Sequence, residues 1–148
     1  MARYKMTSHK STIKNAVEEA LNDLTGLAEE IREVVDNAEG GLANTPRIQT
    51  LGETADTLDG INEPEIDGAI GDIELEYTQS QGSGRRGLSR SARRDNAVSI
   101  LDSCISTIQE KADALEEGDQ KEELEGLVNE LEDIKGAAEE CEFPGMFG

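Results

Sequence analysis

Apolar residues recur at alternating steps of three and four along most of this chain, and that spacing constrains its fold more than any other feature. Steps of this kind place about one residue per turn on a single helix face, as in helices that pack side by side. The sequence therefore predicts an all-α fold with one domain over 1–148: a four-helix bundle, or coiled-coil-like hairpins. The longest seam consists of Val17, Ala20, Leu24, Leu27, Ile31, Val34 and Ala38, and comparable seams lie at 98–115 and 124–141.

Capping residues predict where these helices begin and end. Side chains of Ser, Thr and Asp accept hydrogen bonds from the first backbone N–H groups of a helix, and proline fits the first turn. Gly60 and Gly118 are expected to end the second and third helices. The expected N-caps are Ser8 or Ser11, Thr45 before Pro46, Ser89 or Ser91, and Asp119 in a capping box with Glu122.

Residues 61–88, between the second and third helices, lack the helical spacing. Proline and glycine at 64, 68 and 71 interrupt helices there, whereas Ile73, Leu75 and Tyr77 alternate with polar residues as in a strand. A lone strand is not stable by itself, so it needs a partner from another subunit, or the segment lies extended over the helices. We expect the irregular extended segment, leaving open whether 72–77 is a strand. We also expect flexible tails at 1–8 and 143–148 and a flexible loop at 78–88.

Charge is strongly segregated in this chain of net charge −19. Residues 1–14 carry +4, 15–84 carry −15, 85–94 carry +5, and 95–148 carry −13. Such a field repels nucleic acids and anionic membranes and attracts basic protein surfaces. We therefore expect a protein partner with a basic surface, and neither a membrane nor a directly bound nucleic acid.

Two of the predicted helices carry most of the acidic residues. Laid side by side, 15–39 and 119–142 would present one net charge per roughly 2.5 Å, against about 1.7 Å for duplex DNA. Mimicry of a nucleic acid is therefore compatible with the charge density, although runs of charge are usually solvated helix faces. The acidic residues expected to contact a partner are Glu29, Glu30, Glu33, Asp36, Glu122, Glu123, Glu130 and Asp133.

The stretch GSGRRGLSRSARRDN places five arginines at the predicted start of the third helix, where cations oppose the helix dipole. Three explanations remain open: the arginines pair with carboxylates of this chain or of a neighbouring subunit, they contact phosphate, or they are disordered. No aromatic residue lies among them to stack on a base, which weakens the case for RNA. The five are Arg85, Arg86, Arg90, Arg93 and Arg94.

The C-terminal segment CEFPGMFG holds both phenylalanines of the chain. Pro144 prevents the helix from continuing, so Phe143, Met146 and Phe147 would lie on a short arm. This arm either folds back onto the helices or docks into a partner or a second copy.

Catalytic and metal-binding patterns are missing from the sequence. His9 is the one histidine and is expected to be exposed near a helix start, so no catalytic residue is assigned. The acidic stretch from Asp56 to Glu76 lacks the spacing of a calcium loop, and we expect no metal and no cofactor. Cys104 and Cys141 are expected to be buried reduced thiols, with a disulfide as the less favoured alternative, and reduced thiols indicate the cytoplasm. No secretory signal and no membrane span are expected.

The run VVDNAEGGLANTPRIQTLGETADTLDGINEPE, followed by LSRSARRDNAV, resembles a layout found in uncharacterised small acidic proteins of phages and prophages. The resemblance implies a setting in which small non-enzymatic proteins block host defence or take part in virion assembly. It implies no particular activity and no site.

Three functional hypotheses follow. The first is a non-catalytic inhibitor that occupies the basic, nucleic-acid-binding surface of another protein. The second is a self-assembling structural or scaffold protein, a homo-oligomer held by the helix seams, the arginine-rich segment and the C-terminal arm. An enzyme, with a shifted carboxylate in a pocket, is the third and least favoured.

Overall fold

The computed structural model describes residues 5–38, 45–66, 68–81 and 89–143. Over these residues the protein is mostly helical, with five helices and one small two-stranded sheet. The elements in chain order are β1 (Lys5–Thr12), α1 (Ile13–Asp36), α2 (Pro46–Asp59), α3 (Gly68–Gly71), β2 (Glu74–Gln81), α4 (Arg90–Asp113) and α5 (Asp119–Glu140).

The predicted seam of α1 forms part of the core. Leu24, Leu27 and Ile31 are essentially inaccessible to solvent, while Val34 and Ala38 at the end of the seam are partly buried. The seam predicted at 98–115 holds only in part. Leu101 and Ile108 are buried as its spacing predicts, but Val98 and Ile105 are only partly buried, and Cys104, outside the predicted seam, is fully buried. The reason is that α4 packs against α1, α5 and β2 together, so its apolar residues are spread around the helix.

The helix starts are partly as predicted. The Thr45 side chain accepts from Ile48 N with Pro46 in the first turn, and Ser89 accepts from Ala92 N. The prediction for α1 is wrong, because Ser8 and Ser11 belong to β1 and the capping side chain is Thr12.

The start of α5 also differs from the predicted capping box. Gly118 occupies the N-cap position without a side-chain hydrogen bond, and Asp119 is already in the first turn with Glu122. Both carboxylates therefore interact favourably with the helix dipole, and neither of them caps the helix. Helix α4 ends at Asp113, so Gly118 begins the fifth helix and does not end the fourth.

The expectation of an all-α fold with an irregular segment at 61–88 is wrong for residues 74–81. These form β2, which pairs antiparallel with β1 of the same chain from Lys5↔Gln81 to Thr12↔Glu74. Leu75 and Tyr77 are buried on the side of the ribbon that meets the helices. The ladder overlaps the tail expected at 1–8 and the loop expected at 78–88; residues 1–4, 82–88 and 144–148 lie outside the described residues.

The arrangement of the helices determines which charged faces meet. Helix α4 lies between α1 and α5, while α2 packs along α1 and touches α5 more lightly. The first and last long helices are therefore not side by side, as the charge-density argument assumed. None of the described helices is long and apolar enough to cross a membrane.

Candidate functional site

Three of the predicted partner-binding carboxylates lie together on the outer side of α1. Glu29, Glu33 and Asp36 line a shallow hollow beside Asp59 at the end of α2. All four of these acidic residues are exposed. The hollow joins the acidic surface of α1 to that of α2, a helix that the sequence argument had not included in the site.

Arg32 connects the two helices within this hollow. Its Nη2 atom donates to Asp56 Oδ1 at 2.9 Å and to Asp59 Oδ2 at 2.7 Å. These bonds hold the guanidinium against the α2 carboxylates, which raises the pKa of Arg32. Asp56 also borders a larger groove between α2 and α5.

That groove has a volume of about 620 Å³ and lies between the end of α2, the linker at 60–65 and α5. Ile61, Pro64, Ile134 and Ala137 supply its apolar lining. Its carboxylates come from all three segments, and each is exposed: Asp56, Glu63, Glu65, Glu130 and Asp133.

The lysines of α5 do not line this groove and pair with other carboxylates. Lys135 bonds Asp102 of α4 at 2.5 Å and lies near Glu139, while Lys121 pairs with Glu117 just before the helix. Arg32 bonds Asp59 in the hollow and Asp56 in the groove, so we treat the carboxylates of both together and call this set the acidic face. It consists of Glu29, Glu33, Asp36, Asp56, Asp59, Glu63, Glu65, Glu130 and Asp133.

Glu30, also predicted to contact a partner, is instead bonded within the chain. Arg93 donates from Nη1 to Glu30 Oε2 at 2.7 Å and from Nη2 to Oε1 at 3.0 Å, and Arg90 donates from Nε to Oε1 at 3.0 Å. The hydrogen bond from Arg93, supported by that from Arg90 and opposed by burial, lowers the pKa of Glu30. This carboxylate therefore fastens α4 to α1 and is not part of the acidic face.

The other two predicted carboxylates, Glu122 and Glu123, lie on the first turns of α5. Glu123 lines a hollow with Lys111 at the turn between α4 and α5. The structure thus divides the eight predicted partner-binding residues among separate places, and keeps five of them in the acidic face.

Arg94 connects the arginine-rich segment to the start of the C-terminal arm. Its side chain pairs with Asp95, and its Nη1 atom donates to the carbonyls of Ala138 and Cys141 at the end of α5. The guanidinium also lies 5.4 Å from the ring centre of Phe143, which packs against the core. Arg85, Arg86, Met146 and Phe147 lie outside the described residues.

A half-buried polar cluster, which sequence reasoning missed, lies where β2 meets α1. The Tyr77 hydroxyl donates to Glu19, and burial together with this carboxylate raises the pKa of Tyr77. One turn along α1, burial and the nearby charge of Glu19 raise the pKa of Asp23 to about 6, while Arg93 acts in the opposite sense. The spacing of Glu19 and Asp23 by four residues was the available signal, but without β2 nothing indicated which face they occupy.

His9 stacks on this cluster from β1 instead of being exposed near a helix start. Its ring lies 5.6 Å from that of Tyr77 with an angle of 25° between the planes, and it is half-buried. Its Nε2 atom makes no hydrogen bond to the described residues.

Both cysteines are free and buried, as predicted. Burial raises the pKa of Cys104 to about 12 and also raises that of Cys141, against the influence of Arg94. Among the described residues, no group of three or more His, Cys, Asp or Glu side chains is arranged to hold a metal ion. Comparisons of the chain with models of known protein families, with curated proteins and with solved structures find no match.

Proposed function

We propose that this is a non-catalytic protein whose acidic face binds a basic surface of another protein. One observation carries the proposal: nine exposed carboxylates from α1, α2, the 60–65 linker and α5 line a hollow and a groove that Arg32 links through Asp59 and Asp56. The cation inside that surface, Arg32, already bonds two of those carboxylates. A concentrated field of one sign accelerates association with a basic partner and selects against acidic ones.

The partner class we favour is an enzyme that processes DNA or RNA, or a host defence enzyme, whose cationic cleft the acidic face would block. We interpret the four longer helices as a bundle in the order α1–α2–α5–α4, with α1 and α5 diagonal to one another. On that arrangement α2 continues the acidic surface of α1, so the mimicking surface would be formed by α1, α2 and α5 together. The protein would act in the cytoplasm, that of a host cell if it is phage-encoded.

The alternative, a self-assembling scaffold, has less support. Its proposed contacts were the helix seams, the arginine-rich segment and the C-terminal arm. The seams pack within one chain, Arg90 and Arg93 bond Glu30, and Phe143 packs on the core. Light scattering at low and high salt separates the two functions, since a scaffold would form a large assembly of defined size.

A capture experiment tests the proposed function. The immobilised protein is incubated with nuclease-treated bacterial lysate, and bound proteins are eluted by a salt gradient. A face variant carries Glu29→Gln, Glu33→Gln, Glu130→Gln and Asp133→Asn. A control variant carries the same number of neutralised exposed carboxylates outside the face: Glu110→Gln, Glu116→Gln, Glu125→Gln and Glu140→Gln.

The proposal expects the wild type and the control to retain the same nucleic-acid-binding proteins and the face variant to lose them. Both variants have equal net charge, so a general charge effect would weaken them alike. Equal retention by all three proteins, or no captured protein together with a large assembly in light scattering, would contradict the proposal. Thermal unfolding of the three proteins checks that each is folded.

A further inference from the structure

The groove between α2 and α5 has a more specific shape than the rest of the acidic face. On α5 it is lined by Glu130, Asp133, Ile134 and Ala137. These positions follow the spacing i, i+3, i+4 and i+7, so they form one stripe along the helix. The stripe places two carboxylates beside apolar atoms.

The opposite wall of the groove has a similar composition. After α2 the linker alternates half-buried Ile61 and Pro64 with exposed Glu63 and Glu65. The groove therefore has an apolar floor between two acidic rims. Because α2 contacts α5 only lightly, the space between these walls is not filled by the chain's own described side chains.

We propose that this groove binds a basic amphipathic helix of a partner protein; the inference rests on the proposed function of the acidic face. A volume of about 620 Å³ accommodates several side chains along one ridge of a helix, not a whole globular surface. The apolar ridge of such a helix would lie on Ile61, Ile134 and Ala137. Its flanking lysines and arginines would reach the carboxylates on both rims, as in other helix-in-groove complexes.

Charge and shape together favour this occupant. Five carboxylates at the rims exclude an acidic helix, since like charges across an interface are repulsive. An apolar floor distinguishes an amphipathic helix from a merely cationic peptide, because only the former gains burial of its leucines. An extended basic segment without an apolar face would contact the carboxylates at the rims and leave the apolar floor exposed to water.

Two synthetic peptides of about 18 residues form the probe, long enough for a measurable helix. The first has leucines spaced i, i+3, i+4 and i+7 with lysines and arginines elsewhere, and the second has the same composition in an order without a helical face. Fluorescence anisotropy measures each affinity, and NMR amide shifts of the wild type locate the contact. We expect the first peptide to bind about tenfold more tightly or better, with shifts concentrated at 60–65 and 130–137.

Blocking variants test the floor separately from the rims. Ala137→Trp fills the groove without changing charge and is expected to weaken the first peptide by about tenfold. Ala114→Trp, at an exposed position after α4, is the matched control and should leave the affinity unchanged. Since the peptide comparison and the NMR map use the wild-type chain, failure of a variant to fold leaves the test intact.

Several outcomes would overturn the groove proposal. In one, both peptides bind equally, and their binding is weakened by the four-carboxylate face variant but not by Ala137→Trp. This result would contradict the groove proposal and leave the proposed function of the acidic face standing. Another is equal displacement of either peptide by spermidine, which would indicate a site for small cations. A third is a dilution-dependent dimer whose amide shifts map to the groove, which would assign it to a second copy. No binding by either peptide, with no captured protein in the lysate experiment, would count against both proposals.

Discussion

Arg93 holds Glu30 in a bidentate ion pair, with N–O distances of 2.7 and 3.0 Å, that joins the first turn of α4 to the C-terminal half of α1. Arg90 adds a third bond to the same carboxylate. These contacts show what two of the five arginines in the arginine-rich segment bind. They bond a carboxylate of their own chain, and the negative charge of Glu30 compensates for the unfavourable position of the two cations near a helix N-terminus.

Replacing Glu30 by Gln is expected to destabilise the fold by about 1 kcal/mol. The value is modest because both side chains are still about a third exposed, at 35% and 37% of their full area. The pKa of Glu30 is lowered in the folded state, so its contribution is present above the ordinary glutamate pKa of 4.5 and is lost as the pH falls through the folded value. Urea unfolding at pH 7 and at low pH measures both effects. Glu29→Gln is the control, and an equal loss of stability in both variants would contradict the assignment.

Replacing Asp23 by Asn is expected to stabilise the fold at pH 8 by about 1 kcal/mol, a value reduced for solvent screening of a half-buried group. The native Asp23 has a pKa of about 6, against 3.8 for an ordinary aspartate, so the folded state binds the proton more tightly than the unfolded chain. The destabilisation by its charge is complete above pH 6 and absent below about pH 4. The gain should therefore disappear in denaturant titrations at pH 4. Asp36 is an exposed carboxylate on the same helix. A gain of the same size in Asp36→Asn would show that the stabilisation comes from lower repulsion among the chain's negative charges and not from the surroundings of Asp23.

Tyr77 is expected to remain protonated to unusually high pH. Burial and the adjacent Glu19 carboxylate both oppose its ionisation, which raises its pKa above the ordinary 10. Absorbance at alkaline pH follows the two tyrosines of the chain. The Tyr77→Phe variant should lose the later part of the titration and keep the rest. Loss of the earlier part instead would show that the bond to Glu19 does not form in solution.

Both thiols are expected to react slowly with an aromatic disulfide reagent at pH 8. Cys104 is completely buried, with a pKa raised to about 12, and Cys141 is buried at the end of α5. The thiolate is the reactive form, so burial slows the reaction both by access and by ionisation. Two thiols should react rapidly in urea. A full equivalent of rapid reaction in the folded protein would contradict the packing of that cysteine.

Much of the helical structure follows from local sequence. The spacing of Leu24, Leu27 and Ile31 is enough to place them in the core, and Thr45 with Pro46 is enough to start α2. These signals act within a few residues of one another, so the sequence alone carries them. The seam of α4 is less regular because three different neighbours contact it.

The ribbon and the site depend on distant contacts. Tyr77 alternates as a strand residue does, but its partner strand is a polar segment about seventy positions earlier, whose single apolar residue, Met6, gives no alternating pattern. The acidic face likewise depends on α2 packing along α1 while touching α5, which places Asp56 in the same groove as Glu130 and Asp133. Composition predicted that this surface is negatively charged. Only the tertiary packing shows that Glu30 pairs with Arg90 and Arg93 and lies outside the acidic face.

The most direct test of the account is the salt dependence of binding between the captured partner and this protein. Calorimetric titrations of the wild type, the face variant and the control variant would be run between about 50 and 200 mM salt, a range over which screening increases markedly. We expect the wild-type and control affinities to fall about tenfold or more over that range, and the face variant to bind more weakly at low salt with a shallower salt dependence. Equal affinity and equal salt dependence for all three proteins would contradict that expectation.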